Sequence, residues 1–264
     1  MKIALITGFA TNIGKSITYK FLENGYSIIG VHCPNTVYNA EQLLSTSNRI
    51  KAFKSDFTDP DSLTTLIQQL KQYSFDVVIN NAGMVALRDD GQIQNEFVNF
   101  DYKKFTNVMR CNFDAPLRLC LELRENIRRG GSIVNIASGG GMRASYATIS
   151  YAASKAALIN LTASLSNSFY PYNAVRVNCI SPGWVDPDEQ GGMGVMPDSP
   201  GSKAGHLTSL GRNATTKEIA NVVYFLTTED ASYINGSNIV VDGGWLNHNA
   251  IYYEEATGKS ILQF

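Results

Sequence analysis

Cysteine is scarce: Cys33, Cys111, Cys120 and Cys179 are the only four in 264 residues, with neither a CxxC pair nor close spacing. That excludes a secreted disulfide scaffold, and no metal site is expected. Long runs of one charge are absent too, since 22 basic and 23 acidic residues leave a net charge of −1. Such a surface is not built for the phosphate backbone of nucleic acid or for an acidic membrane. No window reaches the roughly 18 apolar residues of a membrane span, and "IALI" after Met1-Lys2 is too short for a signal-peptide core. The expected location is the cytoplasm. Internal repeats, low-complexity tracts and an interdomain linker are also lacking, so residues 1–264 are read as one domain.

What is present is a succession of short apolar runs: "KIALIT", "YSIIGVHC", "IKAFKS", "FDVVIN", "SIVNIAS", "AVRVNCI" and "SNIVVD". Most are separated by stretches long enough for a crossover helix. Near-continuous apolar strands alternating with helices indicate a parallel sheet covered on both faces. The expected fold is therefore α/β, a Rossmann-type doubly wound parallel sheet of about seven strands. Helices are clearest over 12–25, 60–72, about 101–128, 150–168 and 215–227, with Thr58 or Asp59 capping the second and Pro60 in its first turn. The stretch 183–213 is rich in Gly, Pro and Ser and lacks clear periodicity, and loops of that length are usually functional or disordered.

In open α/β sheets a ligand binds at the carboxyl ends of the strands, and the first strand–helix turn offers backbone N–H groups to a pyrophosphate. "TGFATNIG", residues 7–14, occupies that turn. Gly8 suits the tight turn and Gly14 a close helix–strand approach. Asn12 stands where a third glycine is commonest, and Asn tolerates left-handed φ better than most residues. Alone, the loop is a weak signal.

Further signals follow in order. "NNAG" at 80–83 ends the fourth strand, Asn112 lies in "RCNFDAP", Ser138 ends the fifth strand, and "YAASK" places Tyr151 and Lys155 four apart on one helix face. "SPG" at 181–183, "SLGRNATTKEIA" at 209–220 and "NGSNIVVDGG" at 235–244 complete the series. It resembles the short-chain dehydrogenase/reductase family over about residues 2–245. The resemblance implies a nicotinamide-dependent oxidoreductase that interconverts a ketone and a secondary alcohol. Tyr151 would be the acid/base, Lys155 the partner that lowers its pKa, Ser138 a donor to the substrate oxygen, and Asn112 a backbone holder of a relay water. The implied cofactor contacts are Gly8, Thr11, Asn12, Ile13, Gly14, His32, Asp56, Phe57, Asn81, Ala82, Gly83, Tyr151, Lys155, Pro182, Gly183 and Val185. Alternatives on the same fold are reduction of a C=N or C=C bond in a tailoring pathway, or dinucleotide sensing without turnover.

The end of the second strand, "GVHCPNTV", carries no acid or base from 30 to 40. His32 aligns with the usual acidic position of the family, and Thr11 with a position where phosphate-binding members often carry a base. Without a carboxylate to repel a 2′-phosphate, NADP(H) is expected over NAD(H). Pro187 stands near where a threonine commonly meets the nicotinamide carboxamide, leaving the Val185 backbone to do so. Substrate contacts are expected from 139–150, from Met84–Leu87 and from a lid at about 185–212, with Arg143 and His206 as the polar candidates. The resemblance implies a homodimer or homotetramer, and Leu158, Leu161, Leu165 and Phe169 are read as apolar positions for its contact or, alternatively, for the core of one chain. The tail, about 246–264, with Ile251, Tyr252, Tyr253, Ile261, Leu262 and Phe264, is expected to pack across a subunit contact.

Overall fold

A computed structural model describes residues 1–88, 93–145, 147–186 and 207–247. Seven strands form one sheet: β1 Lys2–Thr7, β2 Tyr26–His32, β3 Ile50–Lys54, β4 Phe75–Asn80, β5 Ile127–Ile136, β6 Arg176–Pro182 and β7 Asn238–Val241. Their order is 3-2-1-4-5-6-7 and every pairing is parallel. This is the Rossmann-type arrangement expected from the apolar runs. Successive side chains of a strand face opposite sides, so Ala4, Ile6, Val77 and Ile79 enter one core while Leu5 and Val78 enter the other.

The helices are α1 Asn12–Glu23, α2 Val37–Thr46, α3 Pro60–Leu70, α4 Tyr102–Met109, α5 Ala115–Glu122, α6 Ile149–Asn173 and α7 Thr216–Leu226. Ile17, Phe21, Leu43, Ile219 and Val223 from α1, α2 and α7 fill the first core. The second takes Leu63, Leu66, Ile67, Leu119, Leu165 and Phe169 from α3, α5 and α6. Asp59 caps α3 by accepting the Asp61 N–H at 3.1 Å, and Thr215 with Glu218 forms a reciprocal capping box on α7.

Three expectations need correction. Helix α2 has no side-chain cap and no acid in its first turn, so its sequence carries few start signals. The stretch 101–128 is not one helix: α4 passes through a π turn at Arg110–Asp114 before α5 and then a 3₁₀ turn at Arg124–Asn126. Pro116 explains the break, because its ring and missing N–H conflict with the carbonyl four residues earlier, at Asn112, and one wider turn relieves the conflict. Finally, Leu158, Leu165 and Phe169 are buried within this chain, with Leu161 packed beside them. They serve the core rather than a subunit contact.

The topology reverses direction between β1 and β4, and the carboxyl ends of these strands bound the crevice where such sheets take ligands. Residues 187–206 of the expected lid, with Pro187 and His206, lie outside the described residues, as does the tail from 248 onward.

Candidate active site

At the end of β1 the chain must turn back into α1 within a few residues. Gly8 does so at φ +63°, donating its N–H to the Val31 carbonyl at 2.7 Å. A Cβ on Gly14 would lie 2.0 Å from the Gly8 carbonyl oxygen, so no other residue fits without moving the loop. Thr11 closes the turn: its N–H and its Oγ1 both donate to the Gly8 carbonyl, at 3.0 and 2.7 Å. Asn12 and Ile13 open α1, whose first N–H groups have no partner within the helix. Asn12, in place of a glycine, is accommodated as the first helical residue.

The β4 end locks onto this turn. The Thr7 hydroxyl accepts the N–H groups of Asn81 and Ala82, both at 3.0 Å. Asn81 returns its amide to the Thr7 and Gly8 carbonyls, again at 3.0 Å. Asn80 acts deeper, donating to Asn135 Oδ1 at 2.8 Å, and Asn135 donates to Thr162 Oγ1 at 2.9 Å. These buried amides tie β4, β5 and α6 together. Beyond β3, Asp56 Oδ1 accepts from the backbone and hydroxyl of Thr58, both at 2.8 Å. The Phe57 ring is in the core.

Tyr151 and Lys155 share one side of α6, with the ammonium 5.7 Å from the phenol ring centroid. Lys155 is 3% exposed, and its Nζ donates to the Ile136 carbonyl at 2.7 Å. Burial pulls its ammonium down to about 8. The same burial pushes the Tyr151 phenol above its ordinary value, and a hydrogen bond from Ser138 offsets part of the rise. Ser138 Oγ is itself oriented by accepting the Gly140 N–H at 3.0 Å.

Asn112 lies in the π turn, wholly buried. Its side chain exchanges two hydrogen bonds with the Met84 backbone, at 2.8 and 2.9 Å, and donates to Ser154 Oγ at 3.0 Å. The backbone carbonyl of Asn112 takes no part in these side-chain bonds. Because Pro116 stands four residues later, that carbonyl also lacks its ordinary helical donor.

The far side of the crevice follows β6. Gly183 donates to the Val241 carbonyl at 2.9 Å, and a Cβ there would meet Asp242 Cα at 2.8 Å. Val185 bridges to Ala214. Gly8, Asn81, Gly83, Ser138 and Pro182 therefore stand at the carboxyl ends of adjacent strands, while Tyr151 and Lys155 reach the same crevice from α6. His32, at the end of β2, is largely buried edge-on to Phe9, and its Nδ1 donates to the Cys33 carbonyl at 3.0 Å.

A family model described as enoyl-(acyl carrier protein) reductase matches residues 8–246. The chain belongs to the short-chain dehydrogenase/reductase family. It is 33% identical, over 92% of its length and 96% of the relative's, to a 3-oxoacyl-[acyl-carrier-protein] reductase FabG of Chlamydia muridarum. Among solved structures, a 4-hydroxyisoleucine dehydrogenase complexed with NADH is 28% identical, with a TM-score of 0.81 over 94% of this chain and 100% of that one. The angucycline C-6 ketoreductase LanV with bound NADP is 26% identical, with a TM-score of 0.79 over 93% and 96%. This short-chain dehydrogenase/reductase is accordingly an NAD(P)-dependent oxidoreductase acting on a carbonyl or alcohol.

In this family member several residues that sequence reasoning missed shape the site. Ser154 anchors Asn112. Trp245 covers Gly139, where a Cβ would lie 2.9 Å from Cζ3 of the indole. Glu96 is 3% exposed, and its Oε2 accepts the Ser150 N–H at 2.9 Å, one residue before Tyr151. Thr148, the N-cap residue of α6, makes no side-chain cap bond. A carboxylate 54 positions away thus supplies the capping role and suits the helix dipole. No local signal could have shown it, since the acceptor comes from a distant segment. Glu96→Ala should cost about 1–2 kcal/mol of stability, as for other lost caps, and lower kcat by loosening Tyr151, while Glu96→Gln should retain most of both. Urea unfolding and steady-state kinetics on the two variants check this.

Proposed function

We propose that Tyr151 is the acid/base of a ketone–secondary alcohol oxidoreductase, with Ser138, Lys155 and Asn112 in supporting roles. The observation that carries this reading is the Tyr151 ring and the Ser138 hydroxyl meeting at Gly140, where a Cβ would lie 3.7 Å from Tyr151 Cε1 and 3.3 Å from Ser138 Oγ, beside the buried Lys155 ammonium. The crevice fits a dinucleotide: Gly8 and Gly14 add no side chains of their own to the turn, which opens directly into the first N–H groups of α1, as a pyrophosphate requires. Thr11, Asn12, Ile13 and Gly14 would hold the phosphates, Asp56 and Phe57 the adenine side, and Asn81, Ala82, Gly83, Pro182, Gly183 and Val185 the nicotinamide side. When bound, the cofactor supplies the hydride.

The chain's own residues manage charge and protons. As negative charge grows on the substrate oxygen, Ser138 Oγ donates to it and Tyr151 Oη gives up its proton. Burial alone would hold the phenol protonated, which suits donation. In the oxidative direction phenolate is needed, and the Lys155 ammonium favours it. Replacement of the proton then runs through a water held by the Asn112 carbonyl. A second reading, reduction of a C=C bond, draws on the description of the family model. The Ser138–Tyr151 pair favours C=O, because two oxygen-directed donors match charge that develops on oxygen.

NADP(H) is the favoured cofactor. With its Nδ1–H committed to a carbonyl, His32 offers a phosphate a second N–H only when protonated. Support comes instead from the missing carboxylate and from Lys54, the register partner of His32 at the neighbouring strand end. A homo-oligomer is also inferred. Phe97, Val98, Phe100 and Tyr102 expose 79, 69, 63 and 69% of their surfaces in one short segment, a cluster that monomers rarely leave to water. Its free cysteines fit the reducing cytoplasm.

Tyr151→Phe should leave dinucleotide affinity within a few-fold and abolish turnover; strong residual activity refutes the acid/base role. Ser138→Ala should be milder, about 10²–10³-fold in kcat. Kinetics with both cofactors should give the higher kcat/KM for NADPH, and His32→Asp should move the ratio toward NADH; a native preference for NADH overturns the assignment. Light scattering at micromolar concentration should show a mass above 28.9 kDa, and a monomer refutes the oligomer.

A further inference from the structure

Outward from Ser138 the site continues as a chain of contacts. Gly139 lies against Trp245. Trp245 meets Trp184 edge-on, with ring centroids 5.7 Å apart at 65°. On the Trp245 ring rests the Arg143 guanidinium, 4.7 Å from the centroid. Arg143 is exposed, and no carboxylate pairs with it among the described residues. The Trp184 Nε1 is buried with no hydrogen-bond partner among those residues.

A guanidinium stacked on an indole spends its face and none of its five N–H donors, so its planar edge stays available in a fixed orientation. Beyond Gly139 the site therefore offers a held cation, and no carboxylate among the described residues pairs with it. A single guanidinium fork matches the two oxygens of a monoanion. A phosphate dianion would call for a second cation, and the described wall has none.

We propose that Arg143, seated on Trp245, binds a carboxylate of the substrate. The substrate class is then an oxo acid or hydroxy acid, with its carboxylate a few bonds from the reacting carbon. This inference rests on the reading of the crevice as a ketone–alcohol site and adds the charge of what enters it.

Both tryptophans of the chain, Trp184 and Trp245, lie at this position, so intrinsic fluorescence reports binding there without turnover. Titrating the NADP⁺-loaded enzyme with acetate, succinate and glutarate should give a saturable change for at least one. Arg143→Gln should weaken that binding by about 10–100-fold, the range for a lost charge-assisted pair. Arg143→Lys, which keeps the charge but not the fork, should fall between. Paired kinetics on 3-oxobutanoate, 4-oxopentanoate and 5-oxohexanoate, each against its methyl ester, form the second arm. An acid should be preferred over its ester, and Arg143→Gln should collapse that preference about 10-fold or more. The proposal is overturned if none of the three anions gives a saturable change, if acid and ester are used alike, or if Arg143→Gln lowers both equally, as a mere structural clasp would. Tighter binding of inorganic phosphate than of any carboxylate also overturns it. Turnover of esters without acid preference would sink the carboxylate while leaving the ketone–alcohol reading intact. Saturable binding with Tyr151→Phe still active would do the reverse.

Discussion

Lys155 carries an ammonium into a space where only 3% of the residue meets solvent, and much of the surrounding structure follows from that constraint. Desolvating an ion costs several kcal/mol unless partners are in place. One partner is the Ile136 carbonyl at the end of β5. Room for the charge comes from Gly83, where a Cβ would stand 3.2 Å from Nζ. Gly141 lets the loop after β5 press on α6, since a Cβ there would meet the Ala156 nitrogen at 2.8 Å. The helix position, the strand end and two glycines thus converge on one nitrogen. The cost shows in the ammonium itself, drawn down to about 8 by burial.

Asn112 is arranged by a related economy. Its amide is spent on the Met84 backbone and on Ser154, which joins the segment after β4 to the helix bearing Tyr151. Its carbonyl is set apart by a covalent fact, the proline at 116. A π turn inside a helix commonly marks a functional position. Here Pro116 both breaks the helix and takes from the Asn112 carbonyl its ordinary helical donor. The buried Asn80–Asn135–Thr162 chain performs no chemistry, but it fixes β4 relative to β5 and α6.

The two ends of the crevice differ in character. On the dinucleotide side the polar groups are mostly main chain, and the side chains of Thr7 and Asn81 hold that main chain in shape. Beyond Gly139 aromatic and cationic side chains take over, with Trp245 meeting both Trp184 and the Arg143 guanidinium. A main-chain cradle is set by the fold and is shared across the family. A side-chain wall is set by individual residues, which is where one member can differ from another in what it accepts.

The sequence alone determined the seven strands: β1, β2, β4 and β6 are buried on both faces and must be apolar nearly throughout, and the edge strands β3 and β7 still keep a short apolar run. It also determined the loop at 7–14 and the order of Asn112, Ser138, Tyr151 and Lys155, since those types at those places in a strand–helix alternation have few other readings. Helix α2 escaped notice for want of a side-chain cap and of an acidic residue in its first turn. The break at Pro116 escaped because helical spacing of apolar residues persists on both sides of a single wide turn. Which face of α6 lies inside was not legible either: Leu158, Leu165 and Phe169 look the same whether they meet a sheet or a second subunit. Only the tertiary structure could bring Glu96 to Ser150, Trp245 to Gly139 and Arg143 to Trp245. Those contacts join segments far apart in the chain, and no periodicity or local propensity encodes a meeting that exists only once the sheet is assembled.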